Sequence, residues 1–599
     1  MLARQENNTL ASLFLRRFEA SPNSDAYIQY NRDTKSWDTF SWQMIADEVA
    51  CIQQSLKRSK FAQNSRMAIM LNNGRHWVQM DLAAQGLGMI TVPVYTNDRA
   101  ENVGHIIEDA QIDILVIENT SQLIQLLNIK ETLNKLKNIL VINDIERFPD
   151  MPEHVVNYSD WLYQGDIGAD DLITEAVDPA QMATIVYTSG TTGKPKGVML
   201  SHTNIINNIY SGLSMVEVYE TDRFLSFLPL SHMLERSIGF YLPLVTGSSV
   251  AFSRSIPQLA NDLLQIKPTI MVSVPRIFER VYAKIQDKLA SESPVKRFIF
   301  NTAINLGWRK FEYEQGDKGW SPSLLFYSVL DNMVGKKVRD QLGGQLRFTV
   351  CGGAALSEQI AKFFIGLGIP ILQGYGLTET SPVISVNKLS ANKPASVGMP
   401  MTGIEVRVGD NDELLTRSDS VMLGYWNNQQ ATDDMIDSEG WLHTGDKVSI
   451  RDGHIFITGR IKEIIVLGNG EKIPPSDMEL AISLDPMIEQ VMVVGEGRPF
   501  LSALLVLNEA ALESYMSFNH IAADSSWNPG EDKNLNKKLL STIKQTLRDF
   551  PGYAKIRRIV ICPEPWSTEN GLLTPTLKMK RQLIEDRFKA QIQQAYDSL

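Results

Sequence analysis

Cysteine is nearly absent from this chain of 599 residues. Cys51, Cys351 and Cys562 stand far apart, so neither a disulfide framework nor a cysteine metal site is written into the sequence. A reducing compartment, the cytoplasm, is the expectation. An excess of positive charge is also missing: 58 Lys and Arg face 69 Asp and Glu, for a net charge of −11. A global basic field is therefore excluded, and with it bulk attraction to nucleic acid. Any anionic substrate must be held by local positive charge. No long hydrophobic run occurs. The greasiest stretch, residues 237–252, is broken by Pro243, Thr246 and Gly247 and is too short and polar to cross a bilayer. The start, MLARQENNTL, has no apolar core of a secretory signal. G-x-S-x-G and H-E-x-x-H are absent, which disfavours serine hydrolases and zincins.

What is present begins with alternation. Residues 67–117 read as strand, helix, strand, helix, strand, and a second such stretch runs from about 182 to 385. This predicts parallel sheets covered by helices. After about 385 short strands and turns dominate, and a domain boundary is expected near 460. The expected division is 1–460 and 461–599. Residues 291–345 are helical and charged, and read as an inserted helical hairpin or lid.

Within this frame, "YTSGTTGKPKGV" (187–198) stands out. Its glycines allow close backbone approach to a ligand, Thr188, Ser189, Thr191 and Thr192 offer hydroxyl donors, and Lys194 and Lys196 offer charge. That combination suits a polyphosphate. It is not the P-loop of NTPases. Counting from Gly190, the sixth position is Pro195, and Lys194 is followed by that proline, which bars a helix there. "GYGLTE" (374–379) likewise lacks the last glycine of a dinucleotide fingerprint.

The loop, followed in order by "LPLSHMLER" (228–236), "VPRIFERVY" (274–282), "GYGLTET" (374–380), "GWLHTGD" (440–446), "GRIKE" (459–463) and "LTPTLKMKR" (573–581), resembles the adenylate-forming superfamily over almost the whole chain. The details are most similar to its long-chain fatty acyl-CoA synthetase branch. The resemblance implies an α/β fold: a large N-terminal domain of αβαβα-type sheets with a distorted β-barrel subdomain, and a small mobile α+β C-terminal domain. It implies ATP, CoA and a fatty acid as substrates and Mg²⁺ as the metal.

By the same resemblance, Thr188, Ser189, Gly190, Thr191, Thr192, Gly193, Lys194 and Lys196 would hold the β- and γ-phosphates. Glu379 would ligate Mg²⁺ and Thr378 would bond the α-phosphate. Gly374, Tyr375 and Gly376 would form the adenine wall. Asp446 would take the ribose hydroxyls, and Arg460 the ribose or phosphate. His232 would lie near the carboxylate and the acyl channel. Lys578 would be the catalytic lysine and Lys462 the hinge on which the C-terminal domain swings.

Two positions depart from the family pattern. Leu577 stands where many relatives have glycine, with Lys580 close by, so the register of the lysine is open between Lys578 and Lys580. Ser418-Asp419 replaces a usual Gly-Pro, which puts the backbone of that turn in question. Other readings are an acyl-AMP ligase loading a separate carrier protein and a non-catalytic nucleotide-binding regulator. The chain end "AYDSL" has Ala595 where a carrier-domain motif has glycine. Peripheral association with the inner face of a membrane and a homodimer are compatible with the resemblance.

Overall fold

Two twisted sheets, a distorted half-barrel and a small terminal unit make up the molecule. The structure is a computed structural model that describes residues 1–4, 8–188, 194–521, 527–548, 550, 554–574 and 577–597. The first sheet has eight strands. Six of them, from Met182–Thr188 through Ile90–Pro93, Arg66–Met70, Ile114–Ile117 and Asn138–Val141 to Val155–Asn157, run parallel. Their residues are apolar with little alternation, as strands covered on both faces require. The second sheet has nine strands, and its parallel centre includes Arg223–Ser226, Ile270–Ser273, Phe348–Cys351 and Ile371–Gly376.

The sequence boundaries hold to within a few residues. In the stretch 67–117 read as alternating strands and helices, the first strand is Arg66–Met70 and the first helix Arg75–Gly86. The greasy stretch at 237–252 is interior: a π-helical turn Glu235–Tyr241, a helix Leu242–Thr246 and a strand Ser249–Phe252, nearly all buried. Among the described residues no helix is long and apolar enough to cross a membrane.

A buried polar knot joins the two sheets. Arg236 and Asp81 form an ion pair with both side chains fully buried. Arg236 also donates to Thr91 Oγ1 (2.7 Å) and Thr184 Oγ1 (2.8 Å), and the Tyr241 hydroxyl donates to Asp81 (2.5 Å). Charges so deep persist only when every donor and acceptor is matched.

From Glu405 the architecture changes. Strands Glu405–Val408, Glu413–Arg417, Leu442–Arg451 and His454–Arg460 form an antiparallel half-barrel. The turn at Ser418-Asp419 is closed without Gly-Pro. Val421 N–H donates to Ser418 O (3.1 Å), and Asn204 Nδ2 donates to the carbonyls of Asp419 and Val421 (2.8 and 2.9 Å).

Beyond Arg460 a single turn, Ile461–Glu463, leads to a strand pair and a three-stranded sheet with its own apolar core around Ile488, Val493, Leu505 and Leu539.

Candidate active site

Parallel sheets place functional groups at the carboxyl ends of their strands, where chain direction changes and side chains are free of the ladder. Three such ends converge here. Strand Met182–Thr188 runs out into the glycine-rich loop, of which Ser189, Gly190, Thr191, Thr192 and Gly193 lie outside the described residues. The strand returns as Lys196–Ser201, pairing Thr188 with Lys196 across the mouth of the loop. Lys194 and Lys196 are both exposed there.

Strand Ile371–Gly376 carries Tyr375 next to its end and passes through Leu377 into a 3-10 turn, Thr378–Thr380, that holds Glu379. Gly376 is required by packing: a Cβ there would lie 1.8 Å from the Pro382 carbonyl oxygen. Glu379 accepts from the Tyr425 hydroxyl (2.7 Å), and Lys196 Nζ sits 5.2 Å from the centre of the same tyrosine ring. Tyr425 thus joins the phosphate-loop lysine to the carboxylate. It escaped sequence reasoning because a tyrosine beside a turn carries no signal of its own.

Tyr375 donates its hydroxyl to Asp446 Oδ2 (2.6 Å), and Arg460 Nε lies 3.0 Å from Asp446 Oδ1. The half-barrel supplies both partners, since Asp446 and Arg460 are register partners on adjacent antiparallel strands. Burial opposes the charge on Arg460, but Asp446 and Glu463 outweigh it and raise its pKa. Burial and Asp446 push the Tyr375 hydroxyl far above the ordinary phenol range. Gly374 lies directly before Tyr375 in the same strand.

His232 follows the end of strand Arg223–Ser226. Its Nδ1 accepts from Leu234 N–H (3.2 Å), which leaves the ring hydrogen on Nε2 as a donor. Burial, helped by Lys578, lowers its pKa to about 4, so the ring is neutral at physiological pH.

The C-terminal unit brings one lysine into this cleft. Lys578 N–H donates to Thr574 Oγ1 (3.0 Å) and its carbonyl accepts from Thr574 N–H (2.8 Å), so it sits on a tight loop. Its side chain is exposed. Burial and Arg460 lower its pKa, while Asp446, Glu379 and Glu463 oppose that shift. Lys580 faces Asp98 and Arg99 instead. Leu577 has φ 61°, the left-handed region in which glycine is unstrained. Lys462 is exposed on the turn between the half-barrel and the terminal unit. Trp441 is held between Arg407 and Arg417, and His443 Nδ1 lies 2.9 Å from Glu413. Neither reaches the cleft groups described above.

Among the described residues no cluster of three or more His, Cys, Asp or Glu side chains could hold a metal. A lone carboxylate, Glu379, suits a Mg²⁺ that arrives with phosphate oxygens, because Mg²⁺ takes one or two carboxylates and keeps the rest of its shell for water and phosphate.

Two α/β sheets, a half-barrel and a small terminal unit, with Lys196, Glu379, Tyr375 and Asp446 gathered where they meet, define an adenylate-forming enzyme fold. The chain belongs to the AMP-binding enzyme family: that family's model matches residues 14–426, and the model of the AMP-binding enzyme C-terminal domain matches residues 462–599. A long-chain-fatty-acid–CoA ligase of Mycobacterium bovis is 31% identical over 97% of this chain and 96% of its own length. Long-chain-fatty-acid–CoA ligase 5 of Rattus norvegicus is 28% identical over 99% and 89%. Among solved structures, the adenylation domain of a Mycobacterium chelonae carboxylate reductase superimposes with a TM-score of 0.78 at 20% identity, covering 98% of this chain and 91% of that one. An anthranilate CoA ligase gives 0.72 at 19% identity, covering 98% of each. At such identities these two speak for the fold alone.

Proposed function

We propose that the protein is a long-chain fatty acid–CoA ligase that works in two half-reactions. A fatty carboxylate oxygen attacks the α-phosphorus of ATP, releasing pyrophosphate and forming acyl-AMP. The CoA thiolate then attacks the acyl carbonyl and AMP leaves. The observation that supports this reading is that Lys578, from the terminal unit, lies within electrostatic reach of Glu379, Asp446 and His232 of the main body.

The first step joins two anions, so catalysis consists of positioning and charge neutralisation. Lys194, Lys196 and Thr188 hold the leaving phosphates together with the rest of their loop. Glu379 holds Mg²⁺, with Tyr425 orienting the carboxylate. The metal, when bound, neutralises phosphate charge during displacement. Thr378 bonds the α-phosphate. Asp446 exchanges the Tyr375 hydroxyl for ribose hydroxyls, and the Tyr375 ring lies along the adenine between Gly374 and Gly376. Neutral His232 offers its Nε2–H to the fatty carboxylate. Lys578 bridges that carboxylate and the α-phosphate.

The domains divide at 460/461, and Lys462 is the pivot by which the terminal unit withdraws Lys578 and admits CoA. The test measures each half-reaction separately. Lys578→Ala should slow acyl-AMP formation by on the order of 10²-fold or more, and leave thioester formation from supplied acyl-AMP nearly intact. Lys580→Ala should affect neither. An adenylation defect in Lys580→Ala alone, or equal loss of both halves in Lys578→Ala, would refute the assignment. Activity with a holo-carrier protein but not with CoA would instead identify a carrier-loading ligase.

A further inference from the structure

Residues 291–345 contribute nothing to the cleft, yet they are firmly built in. The helix Pro294–Glu314 crosses the helix Glu358–Gly366 at Gly307 and Gly366, where a Cβ on Gly307 would lie 1.9 Å from the Gly366 carbonyl oxygen. Only glycine permits backbones that close, and Ala303, Ile304 and Leu306 seal the contact. The helical run 322–340 then folds back along the outside of Pro294–Glu314, as the sequence reading of a hairpin anticipated.

The outer surface of this hairpin is apolar. Phe298 is 71% exposed, Leu325 70%, Val295 67%, Phe326 66% and Val329 58%. Phe326, Val329 and Met333 follow one another along the run 322–340, each of them exposed. An open groove of about 500 Å³ runs between the two helical arms, lined in part by Thr302, Asn305, Phe326 and Val329. A surface of this kind, rigidly mounted and left uncovered, marks an interaction site.

Its charge identifies the partner. Within the stretch, Glu292, Glu314, Glu312 and Asp331 are each paired with a local base: Lys296, Lys310, Lys318 and Arg339. What remains is mainly positive. Arg297, Lys336 and Lys337 are exposed and make no ion pair among the described residues, against two exposed and likewise unpaired acids, Asp317 and Asp340, on a chain whose net charge is −11. Bulky apolar side chains bordered by unpaired Lys and Arg match the interface of an anionic bilayer, where the rings enter the acyl boundary and the cations meet headgroups.

We infer that the outer face of the 294–340 hairpin docks the enzyme on an anionic lipid surface. The inference stands on the patch and its charge. It also deepens the proposed function, because a long-chain acid concentrates in such a surface, and in that respect it rests on that reading.

The test is flotation of the full chain with vesicles of phosphatidylcholine, with and without about one-third phosphatidylglycerol. Wild type should float with the anionic vesicles and lose binding as salt rises. Phe298→Ser/Phe326→Ser should reduce vesicle binding by about tenfold or more. Arg297→Gln/Lys336→Gln/Lys337→Gln should abolish the preference for anionic vesicles, a loss of roughly fivefold per cation. Both variants should retain wild-type turnover of a short, water-soluble acid, which reports an intact fold. No flotation of wild type, or equal flotation of both variants, overturns the inference. So does an apolar variant that changes only the mass of the protein in lipid-free solution, since that identifies a protein interface. Vesicle binding needs no catalysis, so failure of the ligase reading appears separately, as absent CoA-dependent AMP release with every acid tried.

Discussion

Glu235 carries a carboxyl with almost no solvent contact and one unsatisfied oxygen. It is 1% exposed at the start of the π-helical turn Glu235–Tyr241. Ser226 bonds one side of the carboxyl and itself accepts from Asn73 Nδ2 (2.9 Å), while Oε2 has no protein partner among the described residues. Burial raises its pKa to about 8 against the weaker pull of the Ser226 bond. The folded state therefore binds a proton that the unfolded chain releases near pH 4.5. Between those limits the folded form holds more protons, so stability falls as pH rises and the loss is complete above pH 8. The full window is worth about 5 kcal/mol at 1.36 kcal/mol per pH unit. Glu235→Gln cannot ionise and escapes this loss. With ~2.1 cal/mol/K of unfolding entropy per residue over the whole chain, 1 kcal/mol moves Tm by roughly 1 °C. Between about pH 5 and pH 8.5 the variant should gain roughly 3 °C on wild type in calorimetry. A constant offset between the two proteins over that range would refute a neutral, unpaired Glu235.

Further predictions follow from the cleft and the core. Glu379→Ala and Lys196→Ala should each lower ATP–pyrophosphate exchange by ~10²–10³, and wild-type exchange in either would remove that residue from the nucleotide site. Across straight-chain acids kcat/KM should climb roughly fourfold per CH₂, about 0.8 kcal/mol, until the channel ends; a maximum at acetate would contradict a long-chain substrate. Arg236→Met should cost about 3–5 kcal/mol by stranding Asp81, and Asp81→Leu/Arg236→Met should recover much of it in urea titration. Leu577→Gly should relieve about 1 kcal/mol of left-handed strain, read as a higher urea midpoint of the terminal unit.

The fold was legible in the sequence because its signals are local. The parallel strands are short, apolar and spaced by amphipathic helices, so Arg66–Met70 and Ile114–Ile117 could be read from period and composition. The change to short strands and turns after about 385 was legible in the sequence, while the half-barrel itself was implied only by the family resemblance. The ordered motifs carried Glu379, Asp446, Arg460 and Lys578 through their resemblance to the family, and only Asp446 and Arg460 stand beside a glycine. What escaped were pairings distant in sequence. Tyr425 meets Glu379 across 46 positions and Arg236 meets Asp81 across 155, and neither partner has a spacing that marks it. Glu235 lay inside a motif already singled out, but only burial distinguishes it from a surface glutamate. The choice between Lys578 and Lys580 depended on a two-residue register. Around Leu577, with its φ of 61°, the loop sets Lys578 among Arg460, Asp446 and Glu379 and leaves Lys580 beside Arg99 and Asp98, two different places on the same main body.

Under the proposed function the same geometry ties the nucleotide site to the hinge. Asp446 stands in a strand of the half-barrel, and its register partner Arg460 is the last residue of the neighbouring strand before the Ile461–Glu463 turn. Asp446 and Glu463 both raise the pKa of Arg460 against burial. Burial and Arg460 lower the pKa of Lys578, while Asp446, Glu379 and Glu463 oppose that shift. If Asp446 takes up a ribose, as proposed, its hold on both cations weakens, and a phosphate becomes the strongest counter-charge in reach of Lys578. If pyrophosphate then leaves, that attraction falls and the balance at Arg460 returns toward Asp446 and Glu463, beside the proposed pivot Lys462.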